Sequence, residues 1–453
     1  MQDQKTYSTH ARAVIALALP LAGSQLAQFA LHMTDVIMMG WFGLNELAAL
    51  VLASGYWFIT FILLAGFAFA VMPLVANAAG AGDTTVVRRS TRMAMWLSVL
   101  AAVAIYPLFG FSERVLIALG QEPEIAALAQ PYLIVAGIEM LPALIAMVLR
   151  SYFSALERTR VVLLFTVIAV VANAGLNWVL IFGNLGFPAM GVIGSAVASL
   201  ILSTLTVVAL VIYAIKATPE NELFRNLTKP DWDMFRTVAK MGVPIGLTSL
   251  AEVGLFNAAA LMMGWISTVA LAAHGVALQL SALAFMIQIG LSQAGTIRAG
   301  NAYGRRDEAG LRRGALVVTV LSLVTAALTL TVFLSASHIL IGLFIAPTEP
   351  QRDLVLAAGA GFMVFAALFQ FSDGGQVTAL SLLRGVQDTT VPMWLASFSY
   401  WGVGLPVAYV CGFVLDMGGN GIWVGLLTGL SCAWVLMAWR FWMNKSRIGG
   451  VSA

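Results

Sequence analysis

The sequence predicts an all-α polytopic membrane protein, twelve transmembrane helices in two pseudo-symmetric six-helix lobes. Three observations carry this. Of the 453 residues, 60% are apolar or aromatic and only 10% are charged. Apolar stretches of spanning length recur along the whole chain, and nearly all Lys and Arg fall between alternate stretches. Soluble domains run near 45–50% apolar and about 25% charged, so most of this chain is expected to meet lipid, in keeping with a mean hydropathy of +0.92.

A hydrocarbon core about 30 Å thick needs about 20 mostly apolar helical residues. That rule places the first six spans near 12–39, 47–80, 93–118, 125–149, 161–183 and 190–215. The second six fall near 237–264, 270–300, 314–344, 353–383, 391–415 and 419–441. The run after Lys5 and Arg12 is too long for a removable signal and reads as the first span. With the N-terminus inside, 22 of the 24 Lys and Arg lie on the cytoplasmic side, and only Arg114 and Arg352 lie outside. A missed or extra helix would scatter the later clusters, so both termini are expected in the cytoplasm of a bacterial inner membrane. The formal charge of +3 is then a topology signal, and no nucleic-acid partner is implied.

The chain is also duplicated. A shift of 224 residues aligns Pro20 with Pro244, Met38–Trp41 with Met262–Trp265, Asn77 with Asn301, Asp83 with Asp307, and Arg88–Arg89 with Arg312–Arg313. Further on, a shift near 230 pairs Thr159 with Thr389 and Gly191 with Gly421. Each half has an even number of spans, so the repeats are parallel, related by an axis along the membrane normal. This divides the chain into an N-terminal lobe at 1–215, a polar cytoplasmic linker at 216–236 and a C-terminal lobe at 237–453. Two such lobes suggest a central cleft and alternating access, the architecture of a transporter.

Four acids fall within spans: Asp35, Glu139, Glu252 and Asp373. A carboxylate at mid-bilayer costs about 2.5–3.5 kcal/mol on insertion scales, so each calls for a partner, a proton or a cation. At 1.5 Å per residue, Glu252 lies about 18 Å above Lys240 and Asp373 about 16 Å above Arg384. Two acids at one depth, with Arg150 and Arg384 read as terminal to their spans, would hold a proton or a small cation, Na+ among them. In the first half, Asn173 and Asn177 share one helix face. Together with Asp35 and Ser199 they offer an oxygen-rich cluster for a hard cation or a proton network.

The repeat separates scaffold from function. Glu252 aligns with Gln28, Asp35 with Ala259 and Asp373 with Ala143, so the acids are particular to one half, while Pro20 and Pro244 are shared and read as structural or gating kinks. Glu139 has no polar counterpart in the repeat and reads equally as cleft-facing or as hydrogen-bonded packing. His10, His32, His274 and His338 show no ligand spacing, and Cys411 and Cys432 read as buried thiols.

None of the five Lys residues follows Gly, so a P-loop is excluded and an ion gradient is the expected energy source. A membrane enzyme would need a metal motif or a nucleophile with its base, and neither is present in the sequence. A flippase for lipid-linked sugar would need a basic patch in its spans; it remains the alternative of the same architecture, and a channel fits the asymmetric acids less well.

The segments ALPL with Pro20, MTDVIMMG with Asp35, NAGLNWVLIFG with Asn173 and Asn177, LAEVGLF with Glu252, ALAAHGVAL with His274, and FSDGGQV followed by LLRGVQDT resemble the MATE multidrug-efflux family, NorM branch, over nearly the whole chain. The resemblance implies a V-shaped pair of lobes and cation-coupled antiport of bulky, often cationic aromatic compounds. Glu252 and Asp373 would form a second-lobe cation site. Asp35, Asn173, Asn177 and Ser199 would form the first-lobe site. No cofactor beyond Na+ or H+ is implied, and a monomer in the lipid bilayer is expected. NorM-like members often carry Tyr where this chain has Phe369, and Gln where it has Gly275. The lost hydroxyl leaves Na+ and H+ both open as the coupling ion.

Overall fold

The computed structural model describes residues 7–345 and 351–447; Lys5 lies outside them. Among the described residues, twelve helices are long and apolar enough to cross a membrane. The first six are Tyr7–Phe42, Leu44–Ala81, Thr84–Gly110, Pro123–Ala155, Thr159–Leu180 and Gly191–Ala217. The second six are Trp232–Ile266, Thr268–Gly304, Glu308–Ser335, Arg352–Gly385, Thr390–Val414 and Gly418–Lys445. Large apolar side chains such as Leu19, Val171, Leu261 and Leu328 stay exposed on these helices, as lipid contact demands. The protein is integral to the membrane.

The repeat is visible in local backbone chemistry. Asp83 and its repeat partner Asp307 both cap a helix, accepting from Val86 N and Gly310 N. Left-handed backbone recurs at matching places: Gly82 with Arg306, Glu157 with Gln387, and Gly186 with Asp416. The first pair obeys the 224 shift and the other two obey 230, so the sequence offsets are also structural ones. In each half the fourth span is central. Pro123–Ala155 packs on the second, third and sixth spans, and Arg352–Gly385 packs on the eighth, ninth and twelfth.

By contacts the chain forms two compact units, Gly23–Gly246 and a second made of the start of the first helix, through Ala22, with Leu247 onward. Packing therefore draws its boundary inside the first and seventh helices, just after Pro20 and Pro244, whereas the repeat draws it at the linker. Backbone contact explains the difference. A methyl on Gly66 of the second span would run into the carbonyl oxygen of Gly242, and one on its repeat partner Gly290 would run into the Ala22 nitrogen. Small residues thus tie the start of each half's first helix to the second helix of the other half, the usual glue where no hydrophobic force acts between helices in lipid.

The arginines at the start of the third span also hold the linker. Arg89 donates to both oxygens of Asp231, Nε at 2.5 Å and Nη2 at 3.0 Å, while Arg92 lies 3.7 Å from the same carboxylate and donates to the Asn226 carbonyl. Trp96 Nε1 donates to the Leu227 carbonyl at 2.7 Å, and Arg88 pairs with Glu222 at 2.9 Å. The Arg89 hydrogen bond holds the Asp231 carboxyl below its usual range. Sequence reading gave these residues a topological role alone; they also fasten 222–231 to the third helix.

Candidate functional site

In the first half, Asp35 comes from the first helix and Asn173 and Asn177 from the fifth. The two amides are one turn apart and fully buried, and both donate to the same Asp35 oxygen, Oδ1, at 2.6 Å. This orientation leaves the Asn173 and Asn177 carbonyl oxygens buried with no hydrogen-bond donor among the described residues. A buried acceptor without a donor costs about 1–3 kcal/mol, which a bound cation would relieve. Ser199 forms no hydrogen bond among the described residues. The sixth-helix serine that meets a carboxylate is Ser203, one turn further, whose hydroxyl donates to Glu139 Oε1 at 2.8 Å. Glu139, Asp35 and Tyr132 lie within electrostatic reach of one another.

In the second half, Glu252 comes from the seventh helix and Asp373 from the tenth, and Asp373 lies within electrostatic reach of Glu252. Rings one turn away bring their helix faces together: Phe256 packs edge-on to Phe369 at 6.0 Å, Phe369 to Trp423 at 5.8 Å, and Trp423 to His274 at 5.4 Å. Asp373 is 4% exposed and its Oδ1 is buried without a hydrogen-bond partner. Tyr400 is fully buried, its hydroxyl also lacks a partner, and it faces Glu252, Asp373 and Arg384 electrostatically. It sits in Phe398–Gly404, where the eleventh span widens to a π-helix, a distortion frequent at functional sites.

One expectation needs correcting. Arg384 is not merely terminal: its guanidinium lies within electrostatic reach of Glu252, so that acid does have a nearby cation. The long side chain reaches inward from the helix end, which a span-by-span reading misses. Among the described residues it forms no ion pair at contact distance, and its Nε is buried without a partner. In the first half Arg150 donates to Gln28, the repeat partner of Glu252, at 3.3 Å. Each half thus points an arginine from its fourth span at the same repeat position, neutral in one half and acidic in the other.

The MatE family model matches residues 20–179 and 244–410, one segment in each half. This chain belongs to the MatE family. The MatE chain is 45% identical over its whole length to a probable multidrug resistance protein NorM of Rhizobium meliloti (strain 1021), covering 97% of that protein. It is 42% identical to a NorM of the same description from Agrobacterium fabrum (strain C58 / ATCC 33970), over 96% of this chain and 94% of the relative. Its fold is that of solved MATE transporters. The eukaryotic MATE transporter AtDTX14 superposes with a TM-score of 0.85 at 18% identity, covering 98% of this chain and 99% of that one. The outward-facing conformation of a multidrug resistance MATE family transporter of the MOP superfamily gives 0.86, also at 18% identity, covering 97% and 96%.

Of the residues singled out in the sequence, the structure bonds Asp35 to Asn173 and Asn177 and sets Asp373 within electrostatic reach of Glu252. It puts Pro20 and Pro244 inside the first and seventh helices. Sequence reasoning missed Tyr400, the reach of Arg384, and the bond from Ser203 to Glu139. A tyrosine within an apolar span gives no signal of its own, but serines at 199 and 203 share a helix face and could have widened the search by one turn.

Proposed function

We propose that this MatE chain is a secondary active multidrug efflux transporter. It exchanges Na+ or H+ for bulky, cationic or amphipathic aromatic compounds by alternating access, as a monomer in a bacterial inner membrane with both termini cytoplasmic. The relatives' names as multidrug resistance proteins support the substrate class. One observation carries the coupling: Asp35 is bonded by two buried amides whose carbonyl oxygens have no donor, and buried Asp373 keeps an unpartnered oxygen of its own, among the described residues. A carboxylate at that depth is costly when bare, and a cation both neutralises it and occupies the idle acceptors.

Binding of the cation weakens the hold on a cationic substrate through charge, so drug and ion compete. Transport then requires the carboxylates to favour the cation more in one conformation than in the other, because only differential affinity shifts the equilibrium. Ethidium efflux from proteoliposomes tests this, driven first by a sodium gradient alone and then by a pH gradient alone. Exchange under one gradient assigns the ion, and exchange under neither rejects the coupling.

A further inference from the structure

We propose, resting on the cation-coupled reading above, that Glu139 is a second cation-holding carboxylate of the first-half cluster, so that this half neutralises two acids rather than one. Glu139 is 8% exposed and receives a single neutral donor, the Ser203 hydroxyl, at 2.8 Å on Oε1. Asp35 likewise has its Oδ1 held by neutral amides. The second oxygen of each carboxylate takes no hydrogen bond among the described residues. No Lys or Arg pairs with either acid among the described residues. The Asn173 and Asn177 carbonyl oxygens are on the same carbons as the nitrogens that bond Asp35, so these fully buried, unpartnered acceptors stand beside its carboxylate.

The repeat gives an independent reason to count Glu139 in the site. At the 230 shift that superposes the left-handed residues of the two halves, Glu139 falls on Phe369. Phe369 packs one turn from Asp373 against Phe256 and Trp423, so this position faces the acid site in the second half. The first half puts a carboxylate there. A packing role for Ser203 would be met by Gln at the same place with no buried charge, whereas an acid with one neutral donor is under-compensated until a cation arrives. On the fourth helix Tyr132 lies two turns from Glu139 on the same face, and on the sixth Ser199 lies one turn from Ser203.

The test counts cations in purified protein: 22Na+ bound at saturation, and protons released into unbuffered solution when tetraphenylphosphonium binds. Glu139→Gln keeps the acceptor for Ser203 and should lose about one cation per molecule from the sum of the two counts, while Glu252→Gln removes its own share independently. An unchanged sum in Glu139→Gln overturns the proposal. A wild type with neither count rejects the coupled reading itself, and the proposal with it. Should Glu139→Gln fail to fold, Ser203→Ala leaves the charge and strips its donor; a several-fold shift in the cation concentration for half-saturation supports the proposal, and no shift overturns it.

Discussion

Replacing Asp231 by Ala should release the linker, and the structure sets the size of the effect. Asp231 accepts two bonds from Arg89, faces Arg92 at 3.7 Å, and accepts from Met234 N at the start of the seventh helix at 3.2 Å. The Arg89 side chain is 37% exposed, so solvent screening holds that pair to about 1 kcal/mol. The helix cap contributes about 1 kcal/mol. Arg92, 6% exposed, keeps only the Asn226 carbonyl, and its loss is of the same order. Together about 2–3 kcal/mol is lost, which raises the detached population roughly 30- to 150-fold. Trypsin cutting after Arg225 should accelerate by that factor, because cleavage tracks the open population when reclosing is fast. Asp231→Asn keeps the cap and should give a smaller acceleration. Equal cleavage rates for wild type and Asp231→Ala would refute the clamp.

The same carboxyl sets a pH dependence. Its folded value is depressed, chiefly by the Arg89 hydrogen bond, so the stabilisation is fully present above the usual aspartate range and is lost as pH falls through the lowered value. A spin label at Thr228→Cys should be immobile at pH 7 and become mobile only in strong acid, while in Asp231→Ala it is mobile throughout. Glu252→Gln and Asp373→Asn should each abolish gradient-driven ethidium efflux with membrane insertion unchanged, measured by proteoliposome flux and by detergent-extracted yield; full efflux in either rejects its role. Tyr400→Phe deletes a buried hydroxyl that has no partner among the described residues, so thermal stability should hold or rise while cation affinity falls several-fold, and a large loss of stability would mean the hydroxyl is structural. Gly66→Val and Gly290→Val should each cost several kcal/mol, since either side chain would enter the backbone of a neighbouring helix; unaltered melting in detergent would show that those helices do not touch.

Much of the site was legible because burying charge in lipid is so costly that any acid within a span stands out. Asp35 stands out that way, and the shared face of Asn173 and Asn177 follows from helical spacing alone. Glu252 and Asp373 were matched in depth by counting residues along two helices. Ser203, Tyr400 and Arg384 were not found. Hydroxyls and phenols are tolerated in spans at little cost and so leave no mark, and the reach of a long arginine depends on which neighbour its helix faces.

The sequence by itself determined the number of spans, their alternation, the duplication and the candidate acids, because each follows from transfer of side chains between water and lipid, a property read one residue at a time. Only the tertiary structure decided which groups share a site, that the packing units divide within the first and seventh helices, and that arginines at the start of the third span also fasten the linker. Those depend on helix rotation and backbone contact at small residues, which are set by the neighbours a helix meets and not by its own composition.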